Sequence, residues 1–365
     1  MTAPPVVPLT AELGAADRAS AGGKAVGLAA LLRAGLTVPP TWVVPVGALP
    51  SAAELAGLAE VAPRWAVRSS ATIEDGAALS YAGMFRSELD VPVGGLAAAV
   101  ARVQASARSR RVAAYRAWTG AGEREVGMAV LLQPFRPPSR SGLWLGRGLA
   151  TGRLEWVPGG GEPLVSGAVT PSWEEWAPAG LVAGGESGVL TAGGTPVGAA
   201  CAAVQRALGT PADLEFALLD GVPSGSELVW LQYRPMTREL TGDPTREPAG
   251  GAGPEEPGDA VVRGVPASPG QADGRVVLLR DASDPEWSPG TVLLTERTDP
   301  DWVPLMAEAA ALVTAAGGML CHAAIVAREL GVPCVTGVGA AALARLAAGE
   351  TVSVDGTAGT VSIVD

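Results

Sequence analysis

Apolar residues recur along the chain either at helical spacing or in short runs, and this pattern predicts a mixture of helices and strands. Residues 24–36 have the apolar spacing of a helix that ends before Pro39 and Pro40. Short runs rich in Val, Leu and aromatic residues predict strands at 42–46, 64–72, 127–135, 212–220 and 227–235. The turn residues GVPSG separate the last two strands, so we expect these to pair. Residues 1–240 are therefore predicted to form an α/β or α+β domain.

The composition changes sharply after residue 240. Residues 241–260, TGDPTREPAGGAGPEEPGDA, are rich in Gly, Pro and acidic residues and have almost no apolar positions. Such a segment buries too little apolar surface to fold by itself. We predict a flexible linker at 241–258, with an ordered surface loop as the alternative.

Residues 259–365 return to an apolar pattern and predict a second compact domain. Short strands are predicted at 274–279, 291–295, 310–315, 332–338, 351–356 and 360–364, with helices at 302–310, 322–331 and 339–347. The stretch ALVTAAGGMLCHAAIVARELGVPCVTGV predicts a strand, a Gly-Gly turn, a helix and a second strand. The order of elements is that of a βαβ unit.

Charge and composition exclude several classes of protein. The formal net charge of −11 and the pI near 4.8 argue against a general nucleic-acid binder, which needs a basic surface. No apolar run approaches the roughly 20 residues that span a bilayer, and the N-terminus lacks a signal-peptide pattern. The three cysteines have no metal-ligand spacing, and we interpret them as reduced thiols of a cytoplasmic protein without nucleic-acid or membrane partners.

The chain contains a single lysine, Lys24, in the segment AGGKAVGLAALLRAG. A lysine ammonium is a compact charge on a flexible stem, which suits contact with a phosphate. The alternative is a solvated surface lysine. The sequence context alone does not separate these two interpretations.

The chain also contains a single histidine, His322, directly after the Gly-Gly turn and at the start of the predicted helix 322–331. The backbone N–H groups and the dipole at a helix start favour an anion. Histidine is a known covalent nucleophile, so a ring nitrogen here could carry a phosphoryl group. A packing or capping role is the alternative. A metal-binding role is a further alternative. It fits less well, because no cluster of acidic residues or cysteines lies near His322 in the sequence to complete a ligand set.

Long segments of the chain resemble the phosphoenolpyruvate synthase, pyruvate phosphate dikinase and rifampin phosphotransferase superfamily. GVPASPGQADGRVVLL and the segment from VLLTERTDPDW to GGMLCHAAIVARELGVPCVTGVG resemble its swivelling phosphohistidine domain. The N-terminal segments ADRASAGGKAVGLAALLRAG, WAVRSSATIEDGAALSYAGMF, MAVLLQPF, GEPLVSG, DLEFALLDG and LVWLQYRPMT resemble, in order, its ATP-grasp-like nucleotide domain.

The resemblance implies a fold and a set of site residues. The expected fold is α/β with mixed α+β content. An ATP-grasp-like ATP-binding domain at 1–240 is joined by the linker at 241–258 to a β/β/α swivelling phosphohistidine domain at 259–365. The implied phosphate carrier is His322. The implied ATP-binding residues are Lys24, Arg68, Ser80, Ala82, Gly83, Gln133 and Arg234, and the implied Mg²⁺ ligands are Glu215 and Gln232. Carboxylate and amide oxygens also suit Mg²⁺ on chemical grounds.

The resemblance further implies a dikinase reaction, in which His322 accepts the β-phosphate of ATP and AMP and phosphate are released. The relatives carry a further acceptor-binding domain, whereas here only the acidic linker lies between the two predicted domains, so we expect a minimal two-domain form. The expected acceptor is a hydroxyl or amide group of a small molecule or peptide. Two alternatives are a subunit that passes phosphate to a separate acceptor protein and a non-catalytic nucleotide-binding regulator.

Overall fold

The computed structural model describes residues 6–73, 84–109, 112–113, 126–185, 187–223, 225–236, 261–348 and 351–364. Ser80, Ala82, Gly83 and the predicted linker at 241–258 lie outside these ranges. The predicted fold class, α/β with mixed α+β content, is confirmed, with helices packed against three main sheets.

The N-terminal part contains two larger sheets and a small hairpin. Its described strands are β1 (Val7–Pro8), β2 (Trp42–Val44), β3 (Arg64–Ala71), β4 (Glu88–Pro92), β5 (Met128–Pro134), β6 (Arg140–Gly148), β7 (Thr151–Pro158), β8 (Ser172–Ala177), β9 (Gly180–Gly184), β10 (Thr191–Ala192), β11 (Thr195–Pro196), β12 (Ala212–Leu218) and β13 (Leu228–Pro235). The five-stranded sheet has the order β1-β2-β5-β3-β4, and the six-stranded sheet has the order β13-β12-β6-β7-β8-β9. Both are antiparallel.

The C-terminal part is built on one eight-stranded sheet. Its described strands are β14 (Val261–Arg263), β15 (Val265–Ser268), β16 (Gln271–Leu278), β17 (Val292–Thr295), β18 (Ala311–Thr314), β19 (Cys334–Thr336), β20 (Thr351–Asp355) and β21 (Thr360–Ile363). The strand order is β14-β21-β20-β16-β17-β18-β19-β15. Strands β16 to β19 are parallel and the outer pairs are antiparallel. The predicted βαβ unit is present as β18, a helix and β19.

The described α-helices are α1 (Arg18–Arg33), α2 (Ala52–Ala56), α3 (Leu96–Ala105), α4 (Glu162–Val165), α5 (Val197–Leu208), α6 (Val303–Glu308), α7 (His322–Leu330) and α8 (Ala340–Ala347). Helix α1 is kinked at Gly22 (φ +77°, ψ 173°), so the predicted start at residue 24 lies at the beginning of its second segment, whereas the predicted end at residue 36 was too late because α1 stops at Arg33. Gly35 ends it with a left-handed backbone angle of φ +74°, before the prolines are reached. The predicted helix 302–310 is a 3₁₀ turn, Pro300–Trp302, followed by the short α6.

Successive side chains of a strand point to opposite faces of its sheet, which explains why the central strands contribute to a core on each face. On β5, Val130 and Leu132 pack with Leu96 and Val100 of α3, whereas Leu131 belongs to the core that contains α1 and the six-stranded sheet. A strand that is buried on both faces reads as a continuous apolar run, which is why this element was predictable. The C-terminal sheet has the same arrangement, with α6 and α7 in one core and α8 in another.

Candidate active site

Helix α1 lies close against two strands because glycines occupy its contact positions. Gly22 has φ +77°, and a Cβ atom there would lie 1.9 Å from the carbonyl oxygen of Ser70 on β3. A Cβ atom on Gly27 would lie 2.4 Å from the carbonyl oxygen of Tyr233 on β13. This close packing buries Lys24 between the sheets, with Nζ 3.3 Å from Ser69 Oγ. The lone lysine is therefore a buried part of this region and not a solvated surface residue.

Arg68 of β3 bridges the two N-terminal sheets. Its guanidinium lies 2.6 Å from Glu215 Oε2 on β12 and donates a 2.5 Å hydrogen bond to the carbonyl oxygen of Leu231 on β13. The Arg68 side chain is 13% exposed and that of Glu215 is 28% exposed, so the pair borders solvent. A phosphate or a metal ion could therefore reach both groups.

Strands β12 and β13 pair as predicted, and their register brings four polar side chains together. Glu215 lies opposite Gln232, and Asp213 lies opposite Arg234. Arg234 and Asp213 form an ion pair at 2.5 Å. Directly opposite residues of an antiparallel pair share a sheet face, so the carboxylate, amide and guanidinium groups project on the same side.

The implied Mg²⁺ ligands fit a hard cation. Gln232 Oε1 is buried and accepts no hydrogen bond among the described residues, although the amide sits beside Glu215 in the strand register. Magnesium commonly takes one or two protein oxygens and completes its shell with substrate phosphates and water. Within the described ranges, no group of three His, Cys, Asp or Glu side chains forms a protein cage for a metal. The pair Glu215 and Gln232 matches a site at which the protein supplies two oxygens and substrate phosphates and water supply the rest.

Gln133 occupies a different part of the region. It lies near the end of β5, buried, and its side-chain nitrogen donates a 2.9 Å hydrogen bond to Thr41 Oγ1. It is two residues along the strand from Leu131, which pairs with Arg68. The structure therefore places Lys24, Arg68, Glu215, Gln232 and Arg234 around β12 and β13, and Gln133 on the adjoining sheet.

His322 is the first residue of α7 and is 5% exposed. Its Nδ1 atom lies 2.9 Å from the hydroxyl oxygen of the buried Thr298. Gly317, with φ +112°, lets the chain turn between β18 and the helix. The predicted position of the histidine at a helix start is confirmed.

Sequence reasoning missed the residues that bring His322 to the nucleotide part of the chain. We call residues 317–320 the docking loop. The backbone N–H groups of Met319 and Leu320 donate to Glu155 Oε1 at 2.9 Å and Oε2 at 3.1 Å. Met319 and Leu320 also join an apolar cluster that contains Leu143 and Leu164 of the N-terminal part. The C-terminal part is thus docked on the six-stranded sheet.

Strand register shows that the docking loop lies on the same sheet face as the polar groups of β12 and β13. One cross-strand row of that face consists of Gln232, Glu215, Leu143, Glu155 and Trp173. The next row consists of Arg234, Asp213, Leu145, Arg153 and Glu175. Glu155 is two strands from Glu215, which corresponds to about 10 Å at the usual strand spacing. The sequence GRLEWV at 152–157 contains a pattern that indicates this surface, because Arg153 and Glu155 place charges on one face of an otherwise apolar strand.

Burial shifts the pKa of the three cysteine thiols and of the Arg328 guanidinium. It raises the pKa of the Cys321 thiol, and it raises those of the Cys201 and Cys334 thiols well above the usual value. All three cysteines are free and buried, and a buried thiol that stays protonated is a poor nucleophile. Burial also lowers the pKa of the Arg328 guanidinium on α7, while the nearby Glu155 and Asp213 carboxylates act in the opposite direction. The buried Cys321 thiol is therefore a poor nucleophile beside His322.

Comparison with known proteins agrees with the two-part organisation. Residues 51–173 match the AMP/ATP-binding domain of pyruvate phosphate dikinase, and residues 285–359 match the mobile domain of PEP-utilising enzymes. Among the described residues, no helix is both long and apolar enough to cross a bilayer.

Curated relatives extend the match over most of the chain. A probable phosphoenolpyruvate synthase from Methanothermobacter thermautotrophicus is 31% identical over 330 residues, covering 81% of this chain and 46% of the relative. A phosphoenolpyruvate synthase from Pyrococcus furiosus is 33% identical over 343 residues, covering 81% of this chain and 40% of the relative. The chain thus spans less than half the length of these two relatives.

Among solved structures, a RimK domain ATP-grasp protein from Sphaerobacter thermophilus aligns with 58% of this chain and 58% of its own, at 17% identity and a TM-score of 0.25. The predicted family rests on the sequence matches in both parts of the chain, and it is confirmed. The chain belongs to the phosphoenolpyruvate synthase and pyruvate phosphate dikinase superfamily, whose members use ATP and Mg²⁺, and it carries both the AMP/ATP-binding domain and the mobile domain of that superfamily.

Proposed function

We propose that this chain is a dikinase-type, ATP-dependent phosphotransferase in which His322 carries the phosphoryl group. The observation that supports the proposal most directly is the position of the docking loop. It binds Glu155 on the sheet face that also carries Glu215 and Gln232, about 10 Å away by strand spacing. His322 follows Leu320 by two residues, so this contact brings the segment that carries the histidine to the sheet face of the proposed metal site.

The proposed site residues divide into three groups. Lys24, Arg68 and Arg234 supply positive charge to the phosphates of ATP, which is the main requirement of phosphoryl transfer. Glu215 and Gln232 hold Mg²⁺, which when bound neutralises charge on the phosphate oxygens. Gln133 lies beside the adenine. Ser80, Ala82 and Gly83 remain predicted contacts to the phosphates.

The reaction that we propose starts with attack by a ring nitrogen of His322 on the β-phosphorus of ATP. The bond from that phosphorus to the oxygen shared with the α-phosphate breaks, and AMP leaves. Water then releases the γ-phosphate as inorganic phosphate, so one phosphoryl group stays on the histidine. Because Thr298 engages Nδ1, Nε2 is the proposed nucleophile.

Delivery of the phosphoryl group requires a second position of the histidine. We propose domains at 1–240 and 259–365, joined by a linker at 241–258 that lets the phosphohistidine domain leave the nucleotide domain. The proposed acceptor is a hydroxyl or amide group of a small molecule or peptide. A separate acceptor protein is the alternative.

The test is a comparison of the wild-type protein with His322→Ala, using ATP labelled on the β-phosphate. The wild-type protein should take up one acid-labile, base-stable phosphate and release AMP, whereas the variant should take up none. Incubation with candidate acceptors and candidate acceptor proteins then separates the two destinations. Full product formation by His322→Ala would remove the covalent mechanism. ADP as the sole nucleotide product would show an ordinary kinase instead of a dikinase.

A further inference from the structure

Four charged side chains on β6, β7 and β8 of the six-stranded sheet form a largely buried ion network. Glu155 is fully buried, and its Oε1 atom lies 2.8 Å from Arg153 Nε. Arg153 also lies 3.1 Å from Glu175 Oε1, and Arg147 lies 3.5 Å from Glu175 Oε2. Charged groups are rarely buried this deeply in a sheet unless each of them has partners. Some of these partners come from the C-terminal part of the chain.

Glu155 accepts hydrogen bonds from Arg153 on its own strand and from the docking loop at the same time. Oε1 accepts hydrogen bonds from Arg153 and from the Met319 N–H, and Oε2 accepts one from the Leu320 N–H. Hydrogen bonds to an ionised carboxylate are stronger than neutral ones and depend on direction. One side chain of the nucleotide domain thus fixes two successive peptide groups just before His322.

The docking loop is held from its own side by groups of the C-terminal part. Arg328 donates to the Met319 carbonyl oxygen at 2.8 Å and to that of Ala267 at 2.7 Å. Thr336 Oγ1 donates to the Gly318 carbonyl oxygen at 3.1 Å. The carbonyl groups of Gly318 and Met319 therefore have partners within their own domain, while the N–H groups of Met319 and Leu320 donate to Glu155.

We propose that Glu155, held in place by Arg153, which also pairs with Glu175, is the positioning residue that docks the phosphohistidine domain on the nucleotide domain for loading of His322. The proposal rests on the proposed function for its kinetic part only. Docking is reversible in this scheme, because departure of the loop exposes Glu155 to water, which replaces the two N–H groups. Arg153 keeps two carboxylate partners throughout, so the nucleotide domain stays folded in either state.

The first test measures hydrogen exchange at the amides of Met319 and Leu320 in the full-length protein without ATP. In Glu155→Gln, one of the two oxygens becomes an NH₂ group that faces a backbone N–H, so at least one amide loses its acceptor. We expect exchange in the docking loop to be about tenfold faster or more than in the wild-type protein. Arg153 remains paired with Glu175, so the fold should survive.

Glu174→Gln is the matched control. Glu174 is a buried carboxylate on β8 whose acceptor bonds come from Trp176 Nε1 and the Leu190 N–H, both within the nucleotide domain. Exchange at Met319 and Leu320 should be unchanged in this variant. Unchanged exchange of these two amides in Glu155→Gln would overturn the proposal.

Gly318→Ala tests the same contact from the other domain. A Cβ atom on Gly318 would lie 2.6 Å from Glu155 Oε2 and 2.7 Å from Pro171 Cγ, so the added methyl group obstructs docking. Both Gly318→Ala and Glu155→Gln should load phosphate about 10- to 100-fold more slowly at saturating ATP. The affinity of a non-hydrolysable ATP analogue should stay within about twofold, because neither residue is placed at the nucleotide.

Weaker analogue binding in step with slower loading would overturn the proposal, because it would indicate damage to the nucleotide site. The exchange experiment also separates this proposal from the proposed function. Faster exchange in Glu155→Gln, together with no phosphate uptake by the wild-type protein, would support docking by Glu155 and reject the phosphotransferase reaction.

Discussion

One face of the six-stranded sheet carries arginine–carboxylate pairs at both ends, and the two ends differ in exposure. At the β12–β13 end, the side chains of the Arg68–Glu215 and Arg234–Asp213 pairs are 13% to 28% exposed. At the β7–β8 end, Arg153 and Glu155 are 3% and 0% exposed and lie beneath the docking loop. The same chemistry is therefore open to solvent and small ligands at one end and closed by a second domain at the other.

This difference in exposure indicates how each end is used. A partly exposed ion pair contributes little net stability. An incoming phosphate can therefore bind the arginine, or a metal ion the carboxylate, with little loss of folding free energy. A buried pair that loses a partner leaves an uncompensated charge, and its members therefore stay together unless water enters. The first end suits a ligand that comes and goes, and the second suits a domain contact that holds geometry.

The largest effect is expected at the open end, from Arg68→Ala. Loss of the guanidinium removes a positive charge from the proposed phosphate site, and the rate of ATP-dependent phosphate uptake should fall about 100- to 1,000-fold. Arg64→Ala on the same strand is the matched control. Arg64 pairs with Asp90 through two 2.6 Å hydrogen bonds, and both side chains are about half exposed. Its removal should change the rate less than twofold.

Equal rates in Arg68→Ala and Arg64→Ala would contradict the assignment of the open end to ATP. The measurement is acid-labile phosphate on the protein against time, at saturating ATP and Mg²⁺. Thermal unfolding of both variants, measured in parallel, separates a lost contact from a lost fold.

The sequence predicts the β12–β13 end better than the β7–β8 end. The reason is the number of residues that separates the interacting groups along the chain. Strands β12 and β13 are neighbours in the chain, and the turn residues GVPSG between them predicted their pairing. The register confirms this. Lys24 and Arg68 came from local motifs together with the family resemblance.

The closed end was not predicted, because its partner surface lies far away in the chain. Glu155 meets residues 164 and 165 positions later, and charged residues on one face of a strand normally indicate a solvent-exposed face. Strands β6 and β7 were also missed, for a local reason. Glycines at 146, 148 and 152 weaken the strand pattern, although a Cβ at Gly152 would meet the Trp144 ring at 2.4 Å and so requires glycine.

The next largest effect is expected from Glu215→Gln, which tests whether the open end binds a metal ion. Removal of the carboxylate charge should raise the Mg²⁺ concentration for half-maximal phosphate uptake by about 10- to 100-fold. The change also frees Arg68 from its ion pair, so binding of ATP without Mg²⁺ should not weaken. Glu227→Gln is the control, because Glu227 is partly exposed, lies outside the proposed metal site and accepts a hydrogen bond from the N–H of Gly225 in a turn. An unchanged Mg²⁺ requirement in Glu215→Gln would remove Glu215 from the metal site.

The smallest effect is expected from Thr298→Val, which removes the hydroxyl group beside the His322 ring. Valine has nearly the shape of threonine but lacks the hydroxyl oxygen that lies 2.9 Å from Nδ1. In a neutral imidazole one nitrogen carries the proton, and a Thr298 oxygen that accepts from Nδ1–H leaves the lone pair on Nε2. Loss of this one hydrogen bond should slow loading by about tenfold, equivalent to about 1.4 kcal/mol, and Thr298→Ser should restore it.

The single histidine makes this prediction directly observable. Because His322 is the only histidine in the chain, protein labelled with ¹⁵N-histidine gives one pair of ring-nitrogen signals, and their shifts report which nitrogen carries the proton. We expect the proton on Nδ1 in the wild-type protein and in Thr298→Ser, and a mixture of the two tautomers in Thr298→Val. A wild-type proton on Nε2 would reverse the assignment of the nucleophile, because the lone pair would then lie on the nitrogen that faces Thr298. The docking contact at Glu155 would be unaffected by that outcome, since it fixes the backbone before the histidine and not the ring itself.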